Sequence, residues 1–329
     1  MIGDLHFCDR SAKIIPYLVD EIHRTIDETD PDAVVFLGDT LDRFRNIDSL
    51  WLTEASEFII SVSKKKPLLL IIGNHDIHNK TYMFSKYHGF TLCKHVSNIT
   101  VADTSVTEFR VKDFLFLGVP YCPNGRFLEA ISTYKADLQG VAAIFCHQEF
   151  KGCDMNGIIS KHGDVWSQNT HIISGHIHKY QKLKKVLYTG SPYQDKADEE
   201  INKSISLLSF EKDDKGETTF QEKRIYLEVP KKIRLKITTE EYAELKTDSK
   251  NIYSITAVGT EKDNNKYRKH KKTLKIKENG GNVFFKDADK DVKKEYEKLN
   301  NLPTIEGFML DAINDKKYLE DIHLLIYGS

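Results

Sequence analysis

The chain is short of everything that would staple or anchor a fold. Its five cysteines, Cys8, Cys93, Cys122, Cys146 and Cys153, are odd in number and contain no Cys-x-x-Cys pair. That argues against a disulfide framework and a zinc ribbon, and for a reducing compartment. No apolar run approaches the ~20 residues that a membrane-spanning helix needs. The N-terminus shows no charged-then-apolar leader. Net charge is also missing: 48 Lys and Arg face 49 Asp and Glu, so any affinity for a polyanion must come from a local patch. The expectation is a soluble, intracellular protein, cytoplasmic or nuclear, with no membrane partner. Its 329 residues suffice for one large core with an appendage, or for two domains.

Two kinds of periodicity alternate in the first half. Residues 12–29 carry Ile15, Leu18, Val19, Ile22 and Ile26 on one helical face and stop before Pro31. The run Ala33 to Leu37 is continuously apolar, as in a strand buried on both faces, and it leads into Gly38-Asp39. A second helix places Trp51, Ala55, Phe58, Ile59 and Val62 on one stripe, and Leu68 to Ile72 then runs into Gly73-Asn74-His75-Asp76. Phe114 to Val119, Val141 to Cys146 and Ile172-Ile173 read as further strands. Strand, polar loop, helix repeated in this way predicts an α/β layered sheet, whose ligands bind beyond the carboxyl ends of the strands. Alternation over residues 186–229, as strands Val186 to Tyr188, Ser204 to Phe210 and Arg224 to Leu227, predicts an antiparallel part of the sheet. From Pro230 the composition shifts to a small βαβαβ-like module over 230–288, with one basic helix from Asn264 to Lys275, and residues 289–329 read as helical.

Five short motifs carry chemistry: Asp4-Leu-His6, Gly38-Asp39-Thr-Leu-Asp42, Gly73-Asn74-His75-Asp76, Cys146-His147-Gln148 and Gly175-His176-Ile-His178. Each supplies carboxylate, amide or imidazole donors at the end of an apolar strand. Divalent metals of intermediate hardness take that mixture. Two such ions held close together need a shared carboxylate, and as a pair they clamp both the attacking and the leaving oxygen of a phosphoryl group. His75 suits proton transfer to a leaving oxygen, because imidazole as a class can act as an acid near neutral pH. Each motif alone is weak, but five in order form a complete set.

The set resembles the calcineurin-like metallophosphoesterase superfamily over roughly residues 1–228. The resemblance implies a layered β-sandwich core flanked by helices. It also implies one metal held by Asp4, His6, Asp39 and His178, and a second held by Asp39, Asn74, His147 and His176, with Asp39 bridging. His75 is then the group at the scissile phosphate, and Asp42 the carboxylate that orients it. The ions expected are two divalent metals, Mn²⁺ foremost. Within the superfamily, Gly175-His-Ile-His-Lys-Tyr-Gln181, Tyr188-Thr-Gly-Ser-Pro-Tyr-Gln194 and His147-Gln148 resemble the nuclease subunit of SbcCD-type DNA-break repair complexes, including phage and viral versions that act in a host cell. That resemblance implies a nuclease domain over 1–229, a small α/β DNA-capping domain over 230–288, and a helical C-terminal region over 289–329. The last would contact an SbcC-type coiled-coil ABC ATPase. A homodimer is also implied, with the Trp51–Val62 helix as one candidate surface.

Lys266, Arg268, Lys269, Lys271 and Lys272 crowd one predicted helix, and DNA phosphates are the natural counter-charge. A solvated face balanced by Glu261, Asp263 and Glu278 is the plainer reading. Lys64 to Lys66 suits an ordinary helix C-terminus. His23, His78, His88, His95, His162, His171, His270 and His323 are expected to be surface or core residues, and Cys8 and Cys146 to be packing residues. Only Met1 and Ile2 precede Gly3-Asp4, where the family carries a full strand. The expectation is an N-terminally truncated reading frame, which an in-frame apolar segment upstream would support and a stop codon would refute. Two rival functions remain: a small-substrate phosphatase or phosphodiesterase of the same superfamily, and a non-enzymatic module that a complete ligand set argues against.

Overall fold

The computed structural model describes residues 1–43, 46–214 and 216–288. The chain divides into two compact units. One is Met1–Ile233 with Lys250–Ile252, and the other is Arg234–Ser249 with the described residues from Tyr253 onward. The expected helical region over 289–329 lies outside the described residues.

In the first unit the elements run α1 (Ile15–Thr29), β1 (Val34–Phe36), α2 (Ser49–Ser63), β2 (Leu68–Ile71), β3 (Ile99–Ala102), β4 (Thr107–Val111), β5 (Phe114–Val119), α3 (Phe127–Ser132) and β6 (Val141–Cys146). Short β7 (Asp154–Met155) and β8 (Ile158–Ile159) precede β9 (His171–Ser174), β10 (Gln181–Leu183), β11 (Val186–Tyr188), β12 (Ser204–Lys212) and β13 (Thr218–Tyr226). Strands β1, β2 and β3 form one parallel sheet. A second sheet has the order β10-β11-β9-β6-β5-β4.

The continuous apolar runs are explained by burial on both faces. Val35, Leu37, Leu69 and Ile71 of the first sheet meet Phe116, Phe145 and Ile173 of the second in one inner layer. The alternate residues Val34, Phe36, Leu68 and Leu70 face Leu18, Ile22, Phe58 and Ile59 of α1 and α2. On the far side, Leu117, Ile144 and Ile172 pack with Phe127 and Ala130 of α3. The result is helix, sheet, sheet, helix, the α/β layered sandwich expected from the sequence. Helix α1 ends at Thr29, two residues before Pro31, because Asp30 turns left-handed (φ 43°) and its N–H caps Ile26 O at 3.0 Å.

Three details differ from the sequence reading. Strand β11 pairs parallel to β9, and its antiparallel neighbour is the unforeseen β10. Strand β13 starts at Thr218 rather than Arg224 and forms a two-stranded hairpin with β12. The apolar stripe of α2 is spent in the unit's own core, while Trp51 at its edge donates its indole N–H to Asp9 Oδ1 at 2.8 Å. At the N-terminus, Ile2 bridges Phe36 of β1 in parallel, and Met1 exchanges backbone bonds with Ser206 of β12 at 2.7 and 3.2 Å.

The second unit contains β14 (Lys232–Thr238) from Arg234 on, α4 (Thr239–Glu244), β15 (Ile252–Gly259) from Tyr253 on, α5 (Glu261–Arg268), α6 (Lys271–Glu278) and β16 (Asn282–Asp287). Its sheet has the order β14-β15-β16, with β15 and β16 parallel and joined through α5 and α6. Helix α4 opens with a reciprocal capping box between Thr238 and Glu241. Buried Asn264 holds the crossover by donating to Gly259 O and Lys286 O. The single basic helix expected over Asn264 to Lys275 is two helices. His270 is extended (φ −69°, ψ 144°) and accepts the N–H of Lys272, so it begins a new helix where like charge would oppose continuing the old one. No helix among the described residues is long and apolar enough to cross a membrane.

Candidate metal centre

Strands β1, β2, β6 and β9 run parallel within their sheets, and each delivers a polar loop from its carboxyl end. Gly38-Asp39 follows β1, Gly73-Asn74-His75 follows β2, His147 follows β6, and Gly175-His176-Ile-His178 follows β9. The Asp4–His6 segment zips onto the β1 loop through Asp4 N to Gly38 O (3.1 Å), His6 N to Asp39 O (3.0 Å) and Phe7 N to Thr40 O (2.9 Å). Four residues of the cluster have left-handed backbone: Asp4 (φ 51°), His6 (43°), Asp39 (50°) and His176 (75°). Non-glycine residues in that region are strained by roughly 1 kcal/mol or more each, and such strain gathers at functional sites. Gly38 (φ 95°) precedes Asp39 because a Cβ there would sit 2.5 Å from His147 Nδ1. At Gly73 a Cβ would overlap the Asp39 carboxylate.

The structure brings all seven expected ligands together. His6 Nε2 lies 3.1 Å from His178 Nε2 and 4.0 Å from Asp39 Oδ2, and His178 Nε2 lies 3.9 Å from Asp4 Oδ1. The same Asp39 Oδ2 is 3.2 Å from His147 Nε2, which is 3.0 Å from Asn74 Oδ1 and 3.2 Å from His176 Nδ1. Asp4, His6 and His178 form one set of converging donors, and Asp39, His147 and His176 form another.

These donors fit a pair of cations. Asp4 Oδ2 and His6 Nδ1 are buried with no hydrogen-bond partner, and an orphaned carboxylate oxygen in the interior is costly unless a cation meets it. Ring nitrogens face one another in pairs, an arrangement that a shared positive charge relieves. Burial and the neighbouring His147 push the His176 imidazole down to about 3, and burial pushes His6 well below its usual range. Both rings are therefore neutral, the form that ligates a metal. Burial would raise the Asp39 carboxyl, but His147 beside it outweighs burial and holds it far below the usual carboxylate range. His147 in turn is raised to about 9 by Asp39, against the effect of its own burial. Asp4 is raised by burial, with His178 and His147 opposing.

Outer partners orient the rings. His147 Nδ1 donates to Leu37 O at 2.7 Å, which leaves Nε2 for a metal. His178 Nδ1 lies 3.1 Å from Glu199 Oε1, and Glu199 is held by buried Lys203 at 2.8 Å. Asp76, the last residue of its motif, accepts the N–H groups of Leu41 and Gly73, both at 2.9 Å, and so ties the second loop to the third. Burial, with Asp39 nearby, raises its carboxyl to about 6. Tyr193 donates to Leu5 O at 3.0 Å and steadies the first motif from behind.

His75 stands beside both donor sets. Its N–H donates to Asp39 Oδ1 at 2.8 Å, and its ring crosses that of His6 edge-on at 5.2 Å. Asp42 holds it differently from the expectation. The main-chain oxygen of Asp42, not its carboxylate, accepts from His75 Nδ1 at 2.5 Å. The carboxylate instead accepts from Arg10 at 2.7 Å and lies 3.6 Å from His6 Nδ1.

The sequence reading missed Glu199, Lys203, Tyr193 and Arg10. Glu199 sits in Asp195-Lys-Ala-Asp-Glu-Glu200, which has the composition of any charged loop, and no spacing singles it out. Of the basic candidates, Lys266, Arg268, Lys269 and Lys271 are exposed. Lys272 departs from that set: its ammonium turns inward to Tyr242 O at 2.5 Å and lies over the Tyr242 ring. Burial lowers its pKa accordingly.

The comparisons with known proteins agree with this geometry. The calcineurin-like phosphoesterase family profile matches residues 1–199. A protein of Invertebrate iridescent virus 3 named "Putative phosphoesterase 078R" is 31% identical over 293 residues, covering 87% of this chain and 83% of its own length. One of Invertebrate iridescent virus 6 named "Putative phosphoesterase 244L" is 34% identical over 255 residues, covering 76% and 88%. The chain belongs to the calcineurin-like phosphoesterase family.

Proposed function

We propose that the chain is a dinuclear-metal-dependent DNA nuclease, an exonuclease or endonuclease of repair or recombination, which works beside an SMC-like ABC ATPase of the SbcC type. The observation that carries the phosphodiester chemistry is that the Asp39 carboxylate belongs to two groups of converging donors, one with His6 and His75 and one with His147 and His176, and accepts the main-chain N–H of His75. Asp4, His6, Asp39 and His178 would hold one divalent ion, and Asp39, Asn74, His147 and His176 the other, with Mn²⁺ the expected metal. Bound there, the ions would neutralise the crowded phosphoryl oxygens and make a water acidic enough to ionise near neutral pH.

The chain's own residues do the rest. His75 Nδ1–H donates a hydrogen bond to the Asp42 carbonyl, which fixes the ring and leaves Nε2 as the nitrogen that would serve the ester. When protonated, that nitrogen can donate to the leaving oxygen. DNA as substrate is supported by the Gly175 to Gln181 and Tyr188 to Gln194 motifs and by the exposed Lys266, Arg268, Lys269 and Lys271.

The test compares hydrolysis of linear duplex DNA with that of an aryl phosphodiester by the purified full chain in Mn²⁺, alongside Asp39→Ala. DNA cleavage that Asp39→Ala abolishes is the expected result. Turnover of the small ester alone, even with an ABC ATPase of SbcC type added, would refute the nuclease reading and leave a small-substrate phosphodiesterase.

A further inference from the structure

Arg10 lies two residues beyond the buried segment that carries His6, in a short turn over Asp9–Ser11. Its Nη2 donates to Asp42 Oδ1 at 2.7 Å and to Asp195 Oδ1 at 3.3 Å. One guanidinium nitrogen thus joins three segments remote in sequence: the turn after the first motif, the loop after β1, and the loop after β11. The two carboxylates are close to nine-tenths buried, while Arg10 itself is more than half exposed.

An ion pair with one partner so exposed adds little to stability. What it holds is more informative. The backbone oxygen of Asp42 is the acceptor for His75 Nδ1, so the place of Asp42 sets the aim of the His75 ring. Asp195 N–H donates to Glu199 Oε2 at 3.2 Å, and Glu199 Oε1 meets His178. Without Arg10, two largely buried carboxylates would lose the cation that joins them, and the remaining neighbour, Lys232, meets Asp195 through its main-chain oxygen at 2.6 Å. Like charge would then push the Asp42 and Asp195 segments apart and shift the Asp42 carbonyl from the place where it holds His75.

We infer that Arg10 is a positioning residue for the leaving-group step, acting through the Asp42 main-chain oxygen on His75 rather than on substrate or metal. The inference rests on the assignment of His75 as the group that serves the leaving oxygen. A leaving group that departs readily as an anion needs little help from an acid, and a poor one needs much. A misaimed His75 therefore costs in proportion to the basicity of the leaving group. A general loosening of the fold has no such dependence. Lysine at this position would keep the charge and several donors on one nitrogen, but on a shorter side chain of different shape, so it would restore the two contacts only in part.

The experiment measures kcat and KM for Arg10→Ala, Arg10→Lys and His75→Ala on phosphodiesters that share one phosphoryl group and differ in leaving group, from p-nitrophenol to a simple alkyl alcohol. Bound metal is counted for each variant. Arg10→Ala should keep both metal equivalents and lose little kcat on the nitrophenyl ester. On the alkyl ester it should lose about 10- to 100-fold, with Arg10→Lys recovering part of that. A uniform loss across the series, or one that follows metal content, overturns the inference. His75→Ala separates the two layers of the argument. If its loss rises with leaving-group basicity while that of Arg10→Ala stays flat, only the role of Arg10 falls. If its own loss is flat, the assignment of His75 falls and takes Arg10 with it.

Discussion

The two units of the chain handle charge in opposite ways. In the first, Asp4, Asp39 and His147 are buried and each meets specific neighbours: Asp39 faces His147 at 3.2 Å and His75 at 2.8 Å, and Asp4 receives the N–H of His176 at 3.0 Å. In the second, Lys266, Arg268, Lys269 and Lys271 lie exposed on two short helices and the turn between them. Buried charge is oriented in advance by the fold and acts over a few ångströms in a medium that screens it little. Exposed charge is screened by salt within about 8–10 Å and can confer affinity and attraction but no aim. Charge of the first kind suits catalysis, and charge of the second kind suits attraction of a polyanion.

The largest expected effect comes from removing the carboxylate both donor sets share. Asp39→Ala should lower kcat by at least about 10³-fold and empty both metal sites, read as turnover beside metal content. Retention of one tightly held ion with most of the activity would show that the two sets are not joined through Asp39. Next, Glu199→Gln keeps the shape of the contact with His178 but removes its charge. Metal affinity should weaken by about 10- to 100-fold, measured by titration calorimetry. Unchanged affinity would mean that Lys203 and Glu199 serve packing alone.

In the second unit, replacing Lys266, Arg268, Lys269 and Lys271 by glutamine should weaken DNA binding and flatten its salt dependence. The slope of log K against log salt should shrink by about 0.9 for each DNA phosphate that is no longer neutralised. An unchanged slope would return this face to ordinary solvation.

The smallest effect concerns stability. Asp103 is buried against His88 Nε2 at 3.0 Å and pairs with Lys94. Burial would raise its carboxyl, but His88 and Lys94 bring it down to about 2. A depressed carboxyl contributes stability above its unfolded value and loses it as pH falls through the folded value. Asp103→Asn should thus cost about 2 kcal/mol above pH ~4, a difference that fades between pH ~4 and ~2. Denaturant melts at pH 6 and pH 2.5 check this.

The sequence reading of the layers was good where strands are buried on both faces, because runs such as Leu68 to Ile72 admit few other homes. It was weaker where strands are half exposed. Residues Thr218 to Lys223, with Thr, Gln and Glu among them, fall outside the strands expected from the sequence and are the first part of β13. The basic helix was misread for a related reason: the residues around His270 look helical one by one, and the break comes from a local cap and the mutual repulsion of their neighbours.

At the candidate site, the candidate ligands were already legible in the chain. All but Asp4 and His6 follow a strand whose local pattern is clear, and carboxylate, amide and imidazole donors in that place have few other uses. What only the tertiary structure decided is how those ligands are held. Asp42 contributes a backbone oxygen to His75 and its carboxylate to Arg10, Glu199 backs His178, and Lys272 folds inward onto Tyr242. These pairings join segments 21 to 33 residues apart. Charged loops have no periodicity to announce their partners. Only when the sandwich closes, and buries some of those charges beside one another, does one acidic residue in a polar run differ from the next.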